Sequence, residues 1–131
     1  MVAMLYIIDS YAWVEYFKGS AKGEILRALF LKEEHAFATL ECSLAEIKGW
    51  CLRENRDFDQ HFTIIRANST IFSVVQQNWI EAARERFELR KSRKHFGLID
   101  AVILVKQKEH GCKVISGDPH FKDLPGCIFM W

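Results

Sequence analysis

The sequence predicts an α/β fold with a parallel sheet and helices on both of its faces. Three observations predict it. Short β-branched or apolar runs alternate with longer stretches of helical periodicity, the pattern of strand–helix–strand units. The run Met4-Leu-Tyr-Ile-Ile-Asp9 stops on a carboxylate, and Cys112-Lys-Val-Ile-Ser116 runs into Gly117 and Asp118. A buried strand that ends on an acid delivers it to the carboxyl edge of the sheet, where open α/β sheets bind ligands.

The elements follow in order. Ser10 is expected to cap a helix to about Lys18, with Trp13, Tyr16 and Phe17 on one buried face and Gly19 as its stop. Ser20 would cap a second helix whose inward face is Ile25, Leu26, Leu29 and Phe30. His35-Ala-Phe-Ala38 is a short second strand. Leu44, Ile47, Cys51 and Leu52 keep helical spacing to about Arg53, with Glu46 in the first turns. A fourth helix carries Phe58, Phe62 and Ile65 and ends near Asn68. Thr70-Ile-Phe-Ser-Val-Val75 reads as a third strand. Asn78 to Lys91 reads as a helix with Ile80, Ala83 and Phe87 inward. Leu98 to His110 is apolar nearly all round until Lys106, as a helix packed on a sheet is. Gly111 stops it, and the strands ending at Ser116 and spanning Gly126–Met130 complete the set.

With 131 residues, half of them hydrophobic, the chain is expected to form one domain over 1–131 with an unaided core. Cys42, Cys51, Cys112 and Cys127 show no zinc-type spacing, which points to a reduced, cytoplasmic interior. The amino terminus shows no basic leader, and its apolar run is too short to span a bilayer, so no membrane partner is expected. The net charge is +1, but residues 1–65 hold 7 basic against 10 acidic side chains and residues 66–131 hold 11 against 7. The excess sits between Arg84 and Lys94. Arg90, Lys91, Arg93 and Lys94 are therefore candidate phosphate contacts; the competing reading is a solvated helix end whose cations complement the macrodipole.

Four acids stand apart: Asp9, Glu46, Asp100 and Asp118. Each has an ordinary explanation. Ser43-Leu-Ala-Glu46 matches a capping box, Asp100 is a candidate N-cap, Asp118-Pro119 is a turn opening and Asp9 a local turn former. Those explanations leave the shared geometry to chance. Carboxylates that converge without matching Lys or Arg repel one another unless a cation sits among them. Hard oxygen donors suit Mg²⁺ or Mn²⁺, and such a site activates water and stabilises charge on phosphorus, the chemistry of phosphodiester hydrolysis.

The ordered set Ile7-Ile8-Asp9-Ser10, Ser43-Leu-Ala-Glu46, Gly97-Leu-Ile-Asp100-Ala-Val-Ile103 and Val114-Ile-Ser116-Gly-Asp118-Pro-His-Phe121 resembles the PIN domain family, most of all the small VapC-type toxin ribonucleases. The resemblance spans essentially the whole chain. It implies a three-layer α/β/α sandwich with strand order 3-2-1-4-5 and Mg²⁺- or Mn²⁺-dependent cleavage of RNA. It implies Asp9, Glu46, Asp100 and Asp118 as metal-binding and catalytic acids, with Ser116 and Ser10 supporting them, a small antitoxin protein as partner, and a homodimer. Trp13, Trp50 and Phe30 look like more aromatic surface than one small core needs, compatible with such partners. Tyr11 departs from the family, which often has a small polar residue there. It also tells against a haloacid-dehalogenase-like enzyme, which would want an Asp at that position; a receiver domain would want an acidic pair ahead of its Asp, and no Walker-type glycine loop is present. Two alternatives remain open: a housekeeping PIN nuclease that trims rRNA or tRNA precursors, and a non-catalytic scaffold that binds RNA or protein.

Overall fold

The computed structural model describes residues 4–131. Five strands, β1 (Leu5–Ile8), β2 (Ala36–Leu40), β3 (Thr70–Phe72), β4 (Lys113–Ser116) and β5 (Cys127–Phe129), form one parallel sheet in the order β3-β2-β1-β4-β5. Six α-helices surround it: α1 (Ser10–Lys18), α2 (Gly23–Phe30), α3 (Glu41–Arg53), α4 (Phe58–Asn68), α5 (Gln76–Leu89) and α6 (Leu98–His110). The expected α/β fold and strand order are both observed. β1 is central because β2 lies on one side of it and β4 on the other, so the sheet's direction of winding reverses beside Asp9.

The alternation of side chains along the strands divides the core in two. Tyr6, Ile8, Phe37 and Ile115 face a layer with Trp13, Leu26, Ile47, Trp50 and Ile65, from α1 to α4. Ile7, Ala38, Leu40 and Val114 face the other layer, where α6 supplies Ala101 to Val105, α5 supplies Ala82, and Phe96 and Phe121 fill the end. α1 and α2 pack closely, and Gly23 makes this possible: a Cβ there would stand 2.8 Å from the Cα of Tyr16.

Several sequence expectations change. β3 stops at Phe72 rather than Val75, because the Val74 N–H is taken by the Glu41 carboxylate at 2.8 Å instead of a neighbouring strand. The inward stripe of α5 is not Ile80, Ala83 and Phe87. Asn78, Ala82 and Leu89 turn inward instead, while Ile80 and Phe87 are 56% and 68% exposed. Asn78 is inside because its Oδ1 accepts from the Val75 N–H at 2.9 Å and from Lys106 Nζ at 3.4 Å. Leu52 likewise faces outward. The aromatic surplus expected at the surface is absorbed, since Trp13 and Trp50 are buried and Phe30 is half-buried, tilted against Trp13 and edge-on to Tyr16 and Phe37. All four cysteines are free thiols. No described helix is long and apolar enough to cross a membrane.

Candidate metal centre at the carboxyl edge of the sheet

Asp9 follows directly on β1 and is 3% exposed. It, not Ser10, is the N-cap of α1: its Oδ1 accepts from the Ala12 N–H at 2.8 Å. Ser10 is the first helical residue and sends its hydroxyl elsewhere, donating to Glu46 Oε1 at 2.9 Å. That bond ties α3 to the end of β1. The Ser43–Glu46 capping box does not form. α3 begins at Glu41, straight out of β2, so Ser43 lies inside the helix with its buried hydroxyl unpartnered, and capping no longer explains Glu46.

Asp100 sits in the first turn of α6, whose N-cap is Gly97; its carboxylate accepts from the Gly97 N–H at 3.4 Å. Asp118, two residues after β4, caps the single 3-10 turn Pro119–Phe121 by accepting from the His120 N–H at 2.9 Å. The local explanations for these two acids, and for Asp9 as a cap, therefore have substance. They do not exhaust what the acids do.

The charges of Asp100 and Asp118 act on the neighbouring acids. Burial pushes the Asp9 carboxyl up to about 8; the Asp100 and Asp118 charges add to this, against hydrogen bonds from Ser116 and the Ala12 N–H. Asp100 is raised by burial and then by Asp118, with the Gly97 N–H and His120 opposing. Glu46 lies on an exposed face, yet its carboxyl is also raised, by partial burial first and then by Asp100 and Asp118, while the Ser10 hydroxyl lowers it. No Lys or Arg among the described residues pairs with any of the four. The amino-terminal ends of α1 and α6 supply partial positive charge to Asp9 and Asp100, which offsets some of the repulsion. Ser116 is fully buried and joins the strand ends: it hydrogen-bonds the Asp9 carboxyl, and its Oγ accepts from the Asp118 N–H at 3.0 Å.

One residue of the cluster was not anticipated. His120 Nδ1 stands 3.1 Å from Asp100 Oδ2 and 3.3 Å from Asp118 Oδ1. Potential ligand atoms of Asp100, Asp118 and His120 all lie within 4.8 Å of one another. This donor set fits a divalent ion: crowded carboxylates, one imidazole and no Lys or Arg paired with them among the described residues. Tyr11 packs against the backbone at Gly117, and Lys22 Nζ donates to its hydroxyl at 3.2 Å, so the residue that departs from the family is engaged beside the strand end.

The basic segment is more occupied than its sequence implies. Arg90 Nε donates to the Phe96 carbonyl at 2.8 Å and Arg93 Nη1 to that of His120 at 3.3 Å, so both guanidiniums brace the loop before α6. Lys91 pairs with Glu88 at 2.9 Å. Lys94 is exposed and makes no ion pair among the described residues.

The PIN domain family model matches residues 6–126. The chain belongs to the PIN domain family. Solved structures similar to this PIN domain include VapC20 of Mycobacterium tuberculosis, a sarcin-ricin loop cleaving toxin, with a TM-score of 0.72 and 15% identity over 88% of this chain and 92% of that one. VapBC2 of Rickettsia felis, bound to a DNA fragment from its promoter, gives 0.70 and 17% over 96% and 97%. A toxin-antitoxin complex from Klebsiella pneumoniae gives 0.64 and 18% over 96% and 98%. At these identities the likeness speaks to the fold. No curated protein matches the sequence significantly.

Proposed function

We propose that this PIN domain is a metal-dependent endoribonuclease and the toxin of a toxin–antitoxin pair. The observation that carries the reading is the convergence of Asp9, Glu46, Asp100 and Asp118 at one sheet edge, with raised proton affinities at Asp9, Glu46 and Asp100 and no paired Lys or Arg among the described residues. Membership of the family and the toxin structures that share the fold support it.

In this reading Asp9, Asp100 and Asp118 would hold Mg²⁺ or Mn²⁺, with Glu46 at the rim. A bound ion of this kind supplies Lewis acidity toward a phosphoryl oxygen and lowers the pKa of water. Asp9 would serve as the fixed ligand, held by Ser116 and the start of α1. Glu46, oriented by Ser10, would accept a proton or a hydrogen bond from water at the mouth of the site. Lys94 is the member of the basic segment most free to meet an RNA backbone, and Lys91 would have to leave its exposed pair with Glu88 to join it, while Arg90 and Arg93 would act mainly by bracing the loop.

Two partners belong to the reading. The Klebsiella structure is a toxin-antitoxin complex, and by that likeness a small antitoxin is the expected protein partner. The exposed apolar face of α5 that carries Ile80 and Phe87, two turns apart, is the surface we assign to a second copy of the chain, since exposed apolar surface of this kind marks protein contacts. Light scattering should find a dimer that Phe87→Glu with Ile80→Glu converts to monomer. A wild type that is monomeric at tens of micromolar contradicts the assignment.

The direct test is cleavage of a mixed RNA substrate by the purified protein. Cutting in Mn²⁺ or Mg²⁺ that stops on addition of EDTA is the expected result. A protein that neither cuts RNA nor gains thermal stability from Mn²⁺ is a scaffold instead.

A further inference from the structure

We propose that His120 is itself a metal ligand, through Nδ1, and that its nitrogen gives the site a preference for Mn²⁺ over Mg²⁺. The inference rests on the metal-dependent reading above and deepens it.

The spacing of the ligand atoms matches that of a coordination shell. Six ligands at about 2.1 Å from an octahedral ion place neighbouring ligand atoms about 3 Å apart. His120 Nδ1 meets that spacing twice, at 3.1 Å to Asp100 Oδ2 and 3.3 Å to Asp118 Oδ1. The ring is held there from several sides. Its backbone N–H donates to Asp118, its carbonyl accepts from Arg93, and the neighbouring Phe121 is anchored at 0% exposure in the core. The Phe96 ring lies 6.0 Å away as a wall. The His120 side chain is one-third exposed, so water can complete the shell.

Chemistry then sets selectivity. Mg²⁺ favours oxygen donors and loses its waters reluctantly, whereas imidazole suits transition ions, among which Mn²⁺ is the weakest binder. Replacing one carboxylate corner with imidazole should therefore cost Mg²⁺ more than Mn²⁺. The competing arrangement is a protonated Nδ1 that donates to both acids and stays outside the ion's shell. It gives the same distances in the metal-free protein but no bond to the metal.

The experiment is electron spin echo spectroscopy on the wild-type protein loaded with Mn²⁺, together with calorimetric titration of Mn²⁺ and Mg²⁺ into wild type and His120→Asn. Modulation from a directly bound nitrogen is expected, lost in His120→Asn, with Mn²⁺ affinity falling about tenfold more than Mg²⁺ affinity. Absence of nitrogen modulation, or a Mn²⁺-to-Mg²⁺ affinity ratio unchanged in the variant, overturns the inference. The spectroscopy needs no substitution, so a poorly folded variant does not decide the result. If Asp9→Asn abolishes Mn²⁺ binding while wild type shows no nitrogen coupling, the inference fails and the metal-dependent reading stands. If the wild type binds neither ion, both fail.

Discussion

Asp9→Asn should reduce RNA cleavage by on the order of 10³-fold or more, the several kcal/mol of charge stabilisation that a bound metal supplies to such a reaction. The substitution is discriminating because Asn does everything structural that Asp9 does. Asn caps helices as well as Asp, so the bond to the Ala12 N–H can persist. It also removes a buried acid that Asp100 and Asp118 repel, so the metal-free variant is expected to be as stable as wild type or more so. The rise in melting temperature that Mn²⁺ gives the wild type should disappear. A variant that still gains the full rise, or still cuts RNA at the wild-type rate, removes Asp9 from the site. Loss of both activity and fold would instead mark it as purely structural.

The second large effect is on pH. The Asp9 carboxyl is near 8 in the folded protein against an ordinary value of 3.8, with burial as the first cause. A group raised on folding contributes stability that is fully present below its unfolded value and is lost as pH rises through its folded value. The metal-free protein should therefore weaken as pH climbs from about 4 to about 8, by on the order of a few kcal/mol more than Asp9→Asn does over the same range. Metal binding needs the ionised carboxylate, so Mn²⁺ affinity should move the opposite way and strengthen toward pH 8 as protons are released. Urea denaturation in EDTA at several pH values checks the first half. Parallel pH profiles for wild type and variant would show that Asp9 does not carry the linkage.

The strands and helices were legible because each announces itself locally. β1 is an apolar run closed by Asp9, and α6 is apolar almost all round until its final turns, with Gly111 as the stop. The errors share one origin, a local pattern satisfied twice. Ser43-x-x-Glu46 fits a capping box, but β2 feeds α3 without a loop and the helix starts three residues earlier, which frees Glu46 for Ser10. On α5 the more apolar stripe, with Ile80 and Phe87, was expected to face in. Asn78 took the inward position because it satisfies the Val75 N–H and Lys106 together, and nothing in α5 alone reveals a partner 28 residues away.

Of the candidate site, the four acids could be singled out because strand ends and first turns of helices are readable positions. His120 could not, because a histidine after Asp118-Pro119 looks like any turn residue. Its signal was the two-residue spacing from Asp118 on a turn that leaves a strand end, which turns the ring back toward the carboxylate. The basic cluster was visible as charge but not as structure. The carbonyls that engage Arg90 and Arg93 belong to Phe96 and His120, and only the fold brings them near.

The central claim is that Asp100 and Asp118 are metal ligands first and local caps second. Replacing each with Asn and with Ala, and measuring RNA cleavage in Mn²⁺ beside urea denaturation in EDTA, tests it most directly. Asn can serve as a cap at Asp118 and keep a side-chain acceptor for the Gly97 N–H at Asp100, whereas Ala gives up those bonds at about 1 kcal/mol each. All four variants should lose cleavage, the Asn variants should keep wild-type stability or better, and the Ala variants alone should be weakened. Asn variants at both positions that cut RNA at the wild-type rate would contradict it.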